Sequence, residues 1–143
     1  MDDDTSTELD RIRITSQAEL HRLWELLMHP LGFRDLTLWV TFVGEDRRPE
    51  RFLLEIAESV GVPEPDEVAA LFALVARLRA ERFPGSTVAL LVARPGRAQL
   101  TQVDRVLSAR LLAAAADAQV PLEPIHVAND VRVLVVAPDD LAA

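Results

Sequence analysis

Few residues in this chain can do chemistry, and their spacing does not gather them. The histidines are His21, His29 and His126. His21 and His29 stand about two turns apart on a stretch of helical periodicity, too far to grip one ion as two histidines on adjacent turns do. His126 lies in a strand-like stretch and is expected to face away from both, whereas a metal needs three or four convergent ligands. Surface positions are expected for His21 and His29, the latter near the C-terminal carbonyls of its helix. For His126 the expectation is a sheet-face position with its hydrogen bonds satisfied. Neither a metal nor a cofactor is expected.

Nucleophiles are no better placed. Cysteine is absent, which removes thiolate catalysis, disulfides and cysteine-ligated zinc. The serines are Ser6, Ser16, Ser59, Ser86 and Ser108, none of them in a G-x-S-x-G elbow. The five glycines form no phosphate-cradling loop. Acids are abundant, and Asp104 with Glu55 is the pair to weigh for general acid–base work. The plainer roles fit better: a helix cap for Asp104 and an outward strand position for Glu55. No catalytic residue is expected. What remains is the turn Arg94-Pro95-Gly96-Arg97, where two guanidiniums flank a strand–turn–helix junction. Such a junction can offer helix N-terminal amides to a small anion, and an ordinary solvated loop is the alternative.

The elements that would position these groups follow from periodicity. Residues 1–10 carry acids and no apolar run, so a flexible acidic tail without a signal peptide is expected. Ser16 to Glu19 has the form of a capping box, and Leu20, Leu23, Trp24, Leu27 and Met28 follow at helical spacing up to His29. Leu36 to Val43 alternates as a strand whose second face, with Trp39 and Val43, is unusually apolar. Arg51 to Glu58 is its expected antiparallel partner. Gly61 to Pro65 is a loop, and Asp66 is expected to cap a helix that buries Val68, Leu71, Phe72, Val75 and Leu78 and ends near Arg82. Thr87 to Ala93 is nearly all apolar, the pattern of a central strand covered on both faces. Thr101 opens a helix to Ala118 with Asp104 completing a capping box; Val103, Val106, Leu107, Leu111 and Ala114 are its expected packing face. Val120 to Val127 and Val131 to Val136 are the last two strands, joined at Ala128 to Asp130. The order is α, β, β, α, β, α, β, β. It predicts one α/β domain over residues 11–143, a single mixed β-sheet flanked by about three helices.

Composition bounds the partners. The chain has 143 residues, enough for one ordinary core. The formal charge is −8, from 23 acids against 15 basic residues, all of them arginine. That balance repels phosphate backbones and anionic lipid, so neither nucleic acid nor membrane is an expected partner. The longest apolar stretch, Val88 to Ala93, is strand length and too short to span a bilayer. A cytoplasmic location is expected. If helices cover only one sheet face, Trp39 and Val43 would form an apolar patch for a homodimer or another protein.

From Leu90 to Asp130 the chain reads LLVARPGRAQLTQVDRVLSARLLAAAADAQVPLEPIHVAND. This resembles the C-terminal half of the RadC-like branch of the JAB/MPN domain. That family has a hydrophobic strand running into H-x-H-P-x-G, an S/T-x-x-D helix opening, and a return strand carrying a histidine. Pro95-Gly96 resembles the turn, Thr101 to Asp104 the helix opening and Val120 to Val127 the return strand, with His126 at the non-ligand histidine. The hairpin at Thr37 to Ile56 and the helix after Pro65 also come in the family's order. The resemblance implies a JAB/MPN-like, cytidine-deaminase-like three-layer architecture. Its enzymes are zinc-dependent hydrolases that hold the metal with the two histidines of H-x-H and a following aspartate. Here those positions read Val92-Ala93-Arg94, so only Asp104 remains, with a fixed positive charge beside it. A lone carboxylate cannot assemble that site. The expectation is a non-catalytic protein-interaction or scaffold module that associates with another protein or with itself. Its binding surface is expected at the rim Arg94, Pro95, Gly96, Arg97 and Asp104, or around Trp39 and Val43. The alternative is a hydrolase or small-anion-binding enzyme using carboxylates and arginines, with an anion near Arg94 and Arg97.

Overall fold

The computed structural model describes residues 8–58 and 62–141, without the side chains of residues 57 and 58. The elements are α1 (Gln17–Met28), β1 (Leu36–Val43), β2 (Leu54–Glu58), α2 (Pro65–Arg82), β3 (Thr87–Ala93), α3 (Gln102–Asp117), β4 (His126–Ala128), β5 (Val133–Val135) and a single turn of helix, α4 (Pro138–Leu141). Apart from α4, this is the order that periodicity predicts.

The sheet runs β2-β1-β3-β4-β5. β1 is antiparallel to both neighbours, β3 and β4 are parallel, and β5 returns antiparallel to β4. Helices cover both faces, so alternate residues of each strand enter different cores. Leu38, Val40, Phe42, Leu90 and Val92 pack with Phe72, Val75, Leu107 and Leu111 of α2 and α3. Val43, Ala89, Leu91 and Ala93 pack with Leu20, Leu23, Trp24 and Met28 of α1. β3 is the strand common to both cores, and Val88 to Ala93 are each at 0 % exposure. Burying one such leucine is worth roughly 1.5–3 kcal/mol, so this strand contributes most to holding the layers together.

Several local expectations are corrected. Ser16 stands at the start of α1 but makes no capping bond to the backbone. Its hydroxyl and that of Thr15 donate instead to the Glu19 carboxylate, which they hold below its usual pKa range. α2 starts at Pro65, where the missing amide costs nothing, so Asp66 sits in the first turn and the Glu64 N–H donates to Glu67 Oε1 at 3.3 Å. β2 is shorter than expected because residues 51–53 leave the ladder, Thr41 Oγ1 donating to the Phe52 carbonyl at 2.6 Å. Pro121 and Pro124 interrupt the expected Val120–Val127 strand, leaving an isolated bridge between Val88 and Leu122 before β4 begins. Val103 points to solvent at 45 % exposure rather than into the α3 packing face. Of the expected tail, residues 1–7 lie outside the described residues. Residues 8–11 form a helical turn, with Glu8 pairing to Arg22 at 2.8 Å and Asp10 to Arg51 at 2.9 Å. Among the described residues no helix is long and apolar enough to cross a membrane.

Candidate functional site

β3 ends where Pro95 has no amide to continue a ladder and Gly96 takes a positive φ of 101°. The turn sends the chain back toward the start of α3. There the Arg94 side chain meets Asp104: Nε lies 2.9 and 3.1 Å from the two carboxylate oxygens, and Nη2 lies 2.7 Å from Oδ2. Nη2 also donates to the carbonyls of Ala98 at 3.1 Å and Gln99 at 2.8 Å. Asp104 accepts in addition from the Thr101 amide at 2.9 Å, while Thr101 Oγ1 accepts from the Asp104 amide at 3.2 Å. The expected capping box is therefore formed, and it shares its carboxylate with an arginine. Exposure of the two side chains is 9 % for Arg94 and 1 % for Asp104, so the pair sits in a low-dielectric environment with its hydrogen bonds largely satisfied. Replacing Thr101 by alanine removes one half of the box and should cost about 1 kcal/mol, measurable as a shift in the denaturation midpoint.

A second layer of bonds ties this turn to its neighbours. The Gly96 amide donates to Asp130 Oδ2 at 2.8 Å and the Phe33 amide to Asp130 Oδ1 at 3.1 Å. These two amides hold the Asp130 carboxyl below its usual range. Buried Asn129 donates to the Ala98 carbonyl at 2.9 Å and accepts from the Val131 and Arg132 amides. The loops after β3 and β4 are thus bonded to each other. Chemically, this end of the sheet is a closed polar staple. Arg94 has spent most of its donors inside the protein and is not presented to an incoming anion. Of the expected rim, Pro95, Gly96 and Arg97 are exposed, and Arg94 and Asp104 are buried.

The other expected groups do not converge here. Glu55 stands opposite Trp39 in the β1–β2 ladder and is exposed on the α1 side of the sheet, whereas Asp104 belongs to α3 on the opposite side. They form no acid pair. Ser86 donates to the Phe83 carbonyl at 2.6 Å, and Ser6 and Ser59 lie outside the described residues. Among the described residues, no three histidine, aspartate or glutamate side chains converge as a metal set. The Trp39–Val43 patch is also corrected. Val43 is at 0 % exposure in the α1-side core, and Trp39 is half-buried with its indole nitrogen shut off from solvent. α1 and its flanking loops cover the face that could have been open.

Two features were missed from sequence. One is a contact between His21 and His126, expected to face apart: their rings meet edge to face at 5.8 Å. Burial, and secondarily His21, lower the His126 pKa to about 4, although the Pro124 carbonyl at Nδ1 favours the proton. The other is the outer face of α2 and α3, where Leu74 and Leu112 are 47 % and 41 % exposed. A groove of about 560 Å³ runs between these helices, lined by Ala69, Ala73, Ala109 and Ala113 with Arg110 and Asp117 on its α3 side. The sequence signal for the exposed apolar surface is the leucine in each helix that falls outside the buried stripe. The chain matches no protein-family model and no curated protein.

Proposed function

We propose that this chain is a non-catalytic, cytoplasmic protein-interaction module of JAB/MPN-like ancestry that associates with a second copy of itself. The observation that carries the first part is the Arg94–Asp104 pair. In the family it resembles, the positions of Val92, Arg94 and Asp104 hold a zinc ion that would polarise a carbonyl and activate water. Here Val92 is a core side chain and the Arg94 guanidinium lies on the carboxylate of Asp104. These residues do not fit a metal: a cation would have to displace a buried, hydrogen-bonded arginine and find its remaining ligands elsewhere. The sheet order β2-β1-β3-β4-β5 with helices on both faces supports the three-layer architecture that the resemblance implies.

The outer face of α2 and α3 supports the second part. Leu74 and Leu112 are exposed on these helices, and the groove between the helices is lined by alanines small enough to let another helix approach closely. Arg110 and Asp117 are seven residues apart on α3, hence on one flank and about 10 Å apart along the axis. A second α3 laid antiparallel about a two-fold axis near Ala113 brings Arg110 to Asp117 of the second copy, and the reverse. The face is self-complementary in charge as well as apolar. One Arg110 nitrogen is held by the Pro63 carbonyl at 2.7 Å, which fixes the side chain while leaving its other donors.

Sedimentation velocity across a concentration series tests this. Wild type should dimerise, Ala113→Glu should be monomeric, and Arg110→Glu or Asp117→Arg alone should weaken association tenfold or more. The Arg110→Glu/Asp117→Arg double variant should recover it. A wild-type monomer at every concentration, or single swaps without effect, would overturn the self-association.

A further inference from the structure

His126 lies on the face of β4 that α1 covers, paired with Leu91 of β3 and Val135 of β5, and is itself at 0 % exposure. Its Nδ1 is 3.1 Å from the Pro124 carbonyl and must carry the proton there, which leaves Nε2 as an acceptor; among the described residues no group reaches that nitrogen. The side chain that meets the ring is His21 of α1, half-exposed, with Glu25 one turn further on at 3.8 Å. Of the other elements packed on His126, β3 and β5 offer apolar Leu91 and Val135. Glu123 on the approach to β4 is committed to Arg47 at 3.1 Å. Among the described residues no carboxylate therefore stands ready to receive a proton-bearing His126 while α1 is docked.

We propose that His126 and His21 form a proton-operated latch, which holds α1 on the sheet when His126 is neutral and releases it on acidification. The mechanism is one of solvation. A second proton on His126 would create an imidazolium sealed under α1, with only the Pro124 carbonyl bonded to its Nδ1 and another imidazole packed against its ring. Lifting α1 brings water to Nε2, so the open form takes up the proton more readily than the closed form. The lowered affinity of buried His126 for its proton agrees in direction. Opening uncovers Ala89, Leu91, Ala93 and Val133, an apolar sheet face that is closed at neutral pH. Trp24, at 0 % exposure on the inner side of α1, moves from apolar surroundings to water when this happens.

Hydrogen exchange resolved by residue, between pH 7 and pH 4, tests the latch in the intact chain. With the intrinsic pH dependence of exchange removed, opening of α1 should rise as the pH falls below about 6.5, by roughly 100-fold between pH 7 and pH 4, while the β3 amides stay protected. In a Trp39→Phe background, Trp24 emission should shift to the red over the same interval. His126→Leu and His126→Asn should each abolish the pH dependence. Should either variant retain it, or should α1 and β3 open together throughout, the latch is wrong. If neither variant folds, imidazole resonances of the wild type decide: His126 should take up its proton only as α1 loses protection, and protonation with α1 still docked contradicts the proposal.

Discussion

Replacing Arg94 by alanine should destabilise the protein by about 3–5 kcal/mol, the largest effect expected of any charged side chain in the fold. The cause is what is left behind. The Asp104 carboxylate, at 1 % exposure, would lose its bidentate partner and retain mainly the Thr101 amide. The carbonyls of Ala98 and Gln99 would lose their donor too, so the turn after β3 would loosen. Asp104→Ala should cost a similar amount from the other side, stranding a guanidinium and removing the acidic half of the α3 cap. Removing both charges together should cost far less. Arg94→Met with Asp104→Leu keeps the volume and asks nothing of a buried ion, and such replacements are often close to neutral. Urea denaturation of the four proteins forms a double-mutant cycle; single-variant losses below about 1 kcal/mol would show that water reaches the pair.

Lowering the pH from 7 to 4 should remove about 3 kcal/mol of stability through His126 alone. Its pKa falls from an ordinary 6.5 to about 4 in the folded chain, with burial the main cause. Between those values the unfolded chain binds a proton that the folded chain refuses, so unfolding takes up a proton and acid favours it. The stability that neutral His126 contributes is complete above about pH 6.5, falls through the interval and is gone below about pH 4. In His126→Leu this slope should be flat. Denaturant midpoints at pH 7, 5.5 and 4.5 measure it above the range where carboxylates such as Asp130 and Glu19, both held low by hydrogen bonds, begin to add their own losses. A wild type equally stable at pH 7 and 4.5 would mean that His126 is hydrated in the folded chain.

Much of the scaffold was legible because its signals are strong and local. The unbroken apolar run of β3 announced burial on both faces, and Thr101 with Asp104 announced a cap. Both are properties of a few adjacent residues. What remained hidden depended on geometry between elements. Arg94 pairs with Asp104 only because Gly96, at φ 101°, turns the chain back over the start of α3. Parity along a strand could place His126 only if the strand were regular, and Pro121 and Pro124 break it before β4. Val43 and Trp39 were ambiguous because an apolar second face reads alike under a helix and on an open surface. At Ser16 the pattern of a capping box is present, but the hydroxyl donates to the Glu19 carboxylate instead of accepting from a first-turn amide.

Restoring the ligands tests the proposed loss of a metal position at Arg94 and Asp104. Purified wild type and the Val92→His/Arg94→His variant should be dialysed against zinc and analysed for bound metal, with far-ultraviolet circular dichroism to confirm folding. Wild type should retain none, and the folded double variant should retain one zinc per chain, lost again when Asp104→Asn is added. Stoichiometric zinc in the wild type, or a folded double variant that binds none, would overturn that proposal.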